Sequence, residues 1–418
     1  MVSRLLKLLN KCNKFSYFFF TPNPYAVGTA AEQIYTLAAV QNKFKKKIII
    51  FKINILKSLL KYQICNHSLF EDLIINGYKH KKNFLFKILN FLLELEFFFK
   101  RSFVLINDRF GIIKTKEENR FLNVGHDYNY NLNDLIKRDF KPLEEFDSTF
   151  INISFEESFL KRCSEILKTF RLNLNKEIVV LHVRDGNYRN DHNRRNFRNS
   201  NINNYIKAIK YLIRKNYIVI RLGSNSADKI NFKNSNFFDY AHSNVKSDQM
   251  DLYMIYICKF FIGTHSGMVE VARLFKKPIL ITNMYDISGY PPKNEDRGFF
   301  KKIFYKDNRI SIQNYTKLII KKPNLTRVFE YSDEVKYVEN SEIEIYNFVK
   351  KFLLSIEMKN YALSSNEKRI NKVIRYKLKK VFLNKKSTGL YLRPDIYPDP
   401  IRVALRIKNF KGAIYNIT

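Results

Sequence analysis

"KFFIGTHSGMVEVARLFKKPILITN", Lys259 to Asn283, decides the fold. Lys259–Thr264 reads as a strand with Phe260–Ile262 apolar before Gly-Thr, Gly267–Phe275 carries apolar residues at helical spacing, and Lys277–Asn283 reads as a strand that is again apolar from Pro278 to Ile281. A strand that is apolar on both faces must be covered on both, so strand, helix and strand here form one step of a parallel sheet. The pattern extends upstream. Glu177–Val183 reads as a buried strand, Asn203–Lys215 as a helix, "YIVIRLG" (Tyr217–Gly223) as a strand and Asp248–Cys258 as a helix. Downstream, a helix over Ser341–Leu354 opens with Ser341 and Glu344 at capping-box spacing. The expectation is an α/β, Rossmann-like lobe.

The N-terminal part repeats the pattern less clearly. Phe18–Phe20 reads as a strand, Ala31–Val40 as a helix and Ile48–Phe51 as a second strand, with Thr29 and Glu32 fitting a capping box after Gly28. Gly28 is either a turn glycine or one that lets substrate approach the helix start. No GxGxxG follows a strand, so a dinucleotide fingerprint is absent. Polar residues around Asp139–Ser154 suggest a connection, after which Ser154 and Glu157 fit the start of a helix over Glu156–Phe170. This gives an N-terminal Rossmann-like lobe (1–150), a second lobe (151–358) and a basic, helix-prone extension (359–418).

The chain has 418 residues, 45% of them hydrophobic, enough for two cored lobes and too apolar for wholesale disorder. Lys plus Arg number 74 against 39 Asp plus Glu, a net charge of +35. That excess attracts polyanions, yet abundant Lys, Asn, Ile, Phe and Tyr with no Trp also mark an A+T-rich coding sequence. No RGG tract, zinc-finger spacing or aromatic RNP pattern accompanies the charge, so specific nucleic-acid binding is not expected. The four cysteines, Cys12, Cys65, Cys163 and Cys258, are scattered, which suits a reducing compartment and neither a disulfide framework nor a zinc site. Lysines interrupt the apolar runs of the N-terminus, and "FLFKILNFLLELEFFFK" (Phe84–Lys100) carries Lys87, Asn90, Glu94 and Glu96. It reads as a buried or interfacial helix and not as a membrane span. A cytoplasmic protein is expected, with an anionic membrane surface as a peripheral partner.

In open parallel sheets, ligands bind beyond the carboxyl ends of the strands, where helix N-termini expose unpaired amides. His182, Arg184 and Asp185 lie at or just past one such end; Thr264, Ser266 and Gly267 lie at another. A guanidinium facing a hydroxyl-bearing helix start suits a diphosphate leaving group, because the charge that grows there needs preorganised positive potential. No metal is called for, since no DxD dyad is present. Asp185, with Asp191 as fallback, is either a general base or a loop-capping carboxylate. Arg198, Asn199 and Ser200 either bind phosphate or cap the next helix. Arg221 and Gly223 end a further strand, Asp251 either reaches a nucleotide or serves its helix start, and His265 sits between two hydroxyls.

These segments, "LHVRDGNY", "RNSNINNYIKAIKYLIRKNYIVIRLGS" and "DLYMIYICKFFIGTHSGMVEVARLFKKPILITN", together resemble a bacterial family of glycosyltransferases associated with surface polysaccharide synthesis. That family is similar, through its strand-end His-x-Arg, to GDP-fucose-dependent fucosyltransferases of the GT-B fold. The likeness spans Ile178–Asn283 and includes "YVENSEIEI" (Tyr337–Ile345); over the first lobe "GTAAEQ" (Gly28–Gln33) is its echo. It implies a GT-B-like pair of lobes with the donor site in the cleft, the second lobe holding a nucleoside diphosphate sugar and the first the acceptor. Arg184 would bind the donor diphosphate after His182, with Thr264, Ser266 and Gly267 as the phosphate turn. Asp185 stands where fucosyltransferases often place a second basic residue, which leaves sugar and base open. The expected activity is inverting, metal-independent sugar transfer to a cell-surface glycan or lipid-linked acceptor, with no cofactor beyond the donor. The rivals are a non-enzymatic polyanion-binding protein and a nucleotide-sugar epimerase.

Overall fold

The computed structural model describes residues 5, 17–20, 27–44, 47–50, 65–79, 84–109, 151–187, 196–285, 295–321, 334–358, 363–383 and 413–414. The chain divides into two compact units, Met1–Phe159 with Leu392–Leu405, and Leu160–Tyr391 with Arg406–Thr418.

In the first unit, strands β1 (Tyr17–Phe20) and β2 (Lys47–Ile50) pair in parallel around helix α1 (Val27–Phe44), whose Ala30, Ala31, Ile34, Leu37 and Ala38 are buried. The helix already runs at Val27, so Thr29 lies inside it and caps nothing. Helix α2 (Ser68–Glu71) leads into β3 (Leu73–Ile75) and β4 (Tyr78–Lys79). Helix α3 (Phe84–Arg109) follows, and β5 (Ile153–Phe155) joins β3 and β4 in an antiparallel sheet of order β4-β3-β5. Ser154 is thus a strand residue opposite Ile74 and no helix cap; helix α4 (Glu157–Lys168) starts after it. No helix of the described residues is long and apolar enough to cross a membrane.

The second unit is organised by one parallel sheet. Its elements in chain order are β6 (Ile178–His182), α5 (Ile206–Arg214), β7 (Ile218–Leu222), β8 (Phe237–Phe238), α6 (Asp248–Ile257) and β9 (Phe260–Thr264). Then come α7 (Gly267–Leu274), β10 (Ile279–Met284) and β11 (Arg297–Phe300). An antiparallel ribbon of β12 (Lys302–Tyr305), β13 (Asn308–Ile310) and β14 (Val335–Val338) interrupts the alternation, with helix α8 (Ile312–Lys321) inside it. Helices α9 (Glu342–Glu357) and α10 (Ser365–Leu383) follow, and β15 (Ala413–Ile414) closes one edge. The sheet order is β15-β11-β10-β9-β6-β7-β8, with every pairing parallel.

Alternate residues of the strands face opposite layers. Val179, Leu181, Val219, Phe260, Ile262, Leu280 and Phe299 join α5 and α9 in one core, where Phe299 stacks on Phe348 at 3.7 Å. Val180, Ile220, Phe261 and Ile281 are equally buried, and α6 and α7 contact β6 and β9. Each such side chain contributes roughly 1.5–3 kcal/mol of burial, which is why the continuous apolar runs become central strands. The expected capping box at α9 is present: the Glu344 amide donates to Ser341 Oγ and the Ser341 amide donates to Glu344. The basic tail helix is docked: Ile370 and Ile374 of α10 are buried, and Lys351 of α9 pairs with Glu367 at 2.5 Å.

The chain runs outward from β6 through β7 to β8, then returns to lay β9 on the other side of β6. The order of the sheet therefore reverses between β6 and β9, and the crevice at their carboxyl ends is the switch point where such sheets bind ligands.

Candidate active site

The two motifs singled out in the sequence flank that switch point. β6 ends at His182 and β9 at Thr264, with His182 in register with Gly263. A Cβ on Gly263 would lie 3.2 Å from the His182 carbonyl oxygen and 2.5 Å from the Phe261 ring, so glycine lets the two strand ends close up. The Arg184 amide donates to Thr264 Oγ1 at 3.0 Å, and Ser266 Oγ shares a hydrogen bond with His182 Nδ1 at 3.1 Å. Both hydroxyls of the β9 turn are therefore turned onto the β6 loop. Thr264 is fully buried, so its contribution is to hold the Arg184 backbone. Ser266 occupies the N-cap of α7 in an extended conformation without a side-chain cap bond, because its hydroxyl is committed to His182. Gly267 is the first residue of α7, whose positive end faces the same crevice.

The Arg184 loop is held from the other side as well. Its carbonyl accepts the Ser200 amide at 2.8 Å, and its guanidinium donates to Asn199 Oδ1. Gly186 is at φ +90°, where a Cβ would in addition overlap the Asn199 amide. Asp185 accepts the Asn187 amide on Oδ1 (3.0 Å) and the Asp228 amide on Oδ2 (2.9 Å), so it ties its own loop to the one after β7. Arg198 follows Phe197 in a short turn, with its guanidinium 5.8 Å from the Tyr285 ring centre. His265 lies against the same ring at 4.9 Å.

The remaining sequence candidates serve the frame, belong to the first unit or lie outside the described residues. Arg221 is inside β7, 1% exposed, and the two terminal nitrogens of its guanidinium donate to Asp239 (3.1 and 3.3 Å) and to the Asp228 carbonyl (2.6 Å). Gly223 lies just past that strand, where a Cβ would meet those of Ala241 and Ala227 at 3.0 and 3.3 Å. Asp251, in the first turn of α6, pairs with Lys246 at 3.1 Å, and burial lifts its pKa to about 6. Gly28 is a buried residue of α1 in the first unit, and Asp191 lies outside the described residues.

Beside the Arg184 loop the second unit contains a cavity of about 710 Å³, within the range of roughly 300–1,000 Å³ usual for small-molecule sites. Asp185, Asn199 and Ser200 of the sequence candidates line it. So do Lys301, Asp228 and the ring of Phe197, which the sequence did not single out, and Tyr337 and Glu339, which it gave only as part of the "YVENSEIEI" likeness. Lys301 is 3% exposed at the end of β11, and burial lowers its pKa to about 8, with the Arg184 charge acting in the same direction. The sequence carried no signal for it: Lys302, in the same run of apolar neighbours, is 31% exposed. No group of three His, Cys, Asp or Glu side chains among the described residues is placed to hold a metal ion.

Burial, with the charges of Arg221, Arg184 and Lys246, lowers the His182 pKa to about 3. The imidazole is neutral at pH 7 and acts as a hydrogen-bonding group, not as a cation. Since the unfolded chain takes up this proton near pH 6.5 and the folded chain does not, His182 makes stability fall as pH drops from about 6.5 toward 3. The slope from this residue is at most about 1.4 kcal/mol per pH unit. His182→Gln should flatten the acid limb by one proton in urea titrations at stepped pH; an unchanged limb would refute the assignment.

No known protein family and no curated protein matches the chain. Among solved structures it is similar to the glycosyl transferase family 9 protein from Veillonella parvula DSM 2008, at 10% identity and a TM-score of 0.42, over 81% of this chain and 97% of that one. It is also similar to the E. coli ADP-heptose LPS heptosyltransferase II, at 13% identity and a TM-score of 0.34, over 63% and 83% of the two chains. Likeness at this level assigns no activity, so the functional reading stands on the site's own geometry.

Proposed function

We propose that the protein is a glycosyltransferase that moves a sugar from a nucleoside diphosphate donor to a cell-surface glycan or lipid-linked acceptor, by inversion and without a metal. The observation that carries the reading is the junction of the Arg184 loop with the start of α7 across the switch point, made by the Arg184–Thr264 and His182–Ser266 hydrogen bonds. In this proposal the Arg184 guanidinium and the amides of the first turn of α7 take the diphosphate. Their positive potential is fixed before reaction and stabilises the charge that develops on the leaving group. His182 stays neutral and orients Ser266. Asp185, whose two oxygens each hold a backbone amide and each keep a lone pair, shapes the loop and is the group assigned to take the acceptor hydroxyl's proton as the sugar moves and the nucleoside diphosphate leaves. An acceptor at the inner face of a membrane would place the protein there peripherally, where a net charge of +35 favours anionic headgroups.

The experiment is a panel of nucleoside diphosphate sugars, each incubated with the full chain with and without lipid-linked or polysaccharide acceptors. A transferase releases nucleoside diphosphate slowly alone and faster with its acceptor. Conversion of the donor's sugar without acceptor would indicate an epimerase, and no response to any donor would favour the polyanion-binding alternative.

A further inference from the structure

Two of the residues that line the 710 Å³ cavity carry buried, incompletely partnered polar groups. The Lys301 ammonium, on a residue 3% exposed, donates to the Asn199 carbonyl at 2.6 Å and forms no ion pair with a carboxylate of the described residues. The Ser200 side-chain oxygen, on a residue also 3% exposed, has no hydrogen-bond partner among them. Buried ammonium groups are normally paired and buried hydroxyls normally bonded, since leaving either bare is costly. An anionic oxygen within reach of both would accept a hydrogen bond from each. Around them the cavity has an apolar wall and carboxylate acceptors, which together suit a polyol. Phe197 and Tyr337, with ring centres 5.6 Å apart and planes at 31°, give an apolar wall. Asp228 and Glu339 offer acceptors for hydroxyls.

We infer that this cavity binds a sugar bearing an acidic group, whose carboxylate or phosphate oxygens sit between the Lys301 ammonium and the Ser200 hydroxyl. The inference rests on the glycosyltransferase reading and deepens it, naming an acidic sugar as part of the substrate. Lys301 responds to Glu339, which favours its charge, and to Arg184, which opposes it; Asp185, Asp228 and Lys336 are the other charged groups of the walls. With its pKa drawn to about 8, the ammonium is lost as pH rises past that value, and the anion's affinity falls with it.

Titration calorimetry of the full chain at pH 7 with glucuronate, glucose 6-phosphate and glucose tests this. At least one acidic sugar should bind while glucose does not, and the two acids separate a carboxylate site from a phosphate site. Lys301→Met should weaken that binding by about tenfold or more, and Ser200→Ala by less. Raising the pH from 7 to 9 should weaken binding to the unaltered protein, which decides the matter if the Lys301 variant does not fold. Glucose binding as well as the acids, unchanged affinity in Lys301→Met, or no pH dependence would overturn the inference. If nucleoside diphosphates stabilise the chain and no acidic sugar binds, the acidic subsite fails and the transferase reading survives. Acidic sugars bound without any nucleotide response would keep the subsite and remove the transferase reading, and silence from both would remove both.

Discussion

Asp239→Ala should destabilise the second unit by about 3–5 kcal/mol, because it leaves the Arg221 guanidinium charged and unpaired inside the sheet. Arg221 is 1% exposed and cannot reach water without opening β7, whereas Asp239 is 23% exposed, which places the expected value toward the lower end. Arg221→Met should cost less, since the partly solvated Asp239 carboxylate tolerates losing its partner better than the buried guanidinium does. The damage should also reach the site. Arg221 fixes the Asp228 carbonyl while the Asp228 amide donates to Asp185, so the ion pair holds the two strand-end loops together. Urea unfolding followed by far-ultraviolet circular dichroism measures both variants; a difference within about 0.5 kcal/mol of the unaltered chain for Asp239→Ala would contradict the account.

Arg184→Ala should weaken nucleoside diphosphate binding by about 100-fold or more while leaving the unliganded fold intact. The loop is anchored by main-chain groups, the Arg184 amide on Thr264 and its carbonyl on the Ser200 amide, and these survive the substitution. What is removed is a planar donor able to hold two phosphate oxygens, each charge-assisted bond contributing about 1.5–3 kcal/mol. Arg184→Lys should recover part of the loss, because an ammonium supplies the charge and not the fork. Calorimetric titration reads all three proteins; equal affinity in Arg184→Ala would leave the diphosphate without its principal partner.

The parallel sheet was legible because its strands between Ile178 and Met284 are buried on both faces and write themselves as mainly apolar runs, Arg221 apart. Strand ends were legible for the same reason, since the change from apolar to polar at His182 and Thr264 marks where the sheet stops. Helix starts were less so. Ser341 and Glu344 form their capping box, but the same spacing at Thr29 falls within a helix and at Ser154 within a strand, because local capping chemistry yields to where the chain must pack. The cavity was least legible. Lys301, Glu339 and Asp228 come from three separate loops, brought to the Arg184 loop by bonds between residues far apart in sequence: Lys301 to the Asn199 carbonyl, the Asn201 amide to Glu339, and the Asp228 amide to Asp185. Arg221 shows the same limit: a charge within a buried strand announces a partner, and the sequence does not say that the partner is Asp239.

Hydrogen exchange of the backbone amides, with and without a saturating nucleoside diphosphate, tests the central claim most directly. Slowed exchange should concentrate in the loop from 182 to 187 and the first turn of α7 from 267 to 270, on opposite sides of the switch point. Slowing confined to some other part of the chain, or on one of these two segments alone, would contradict it.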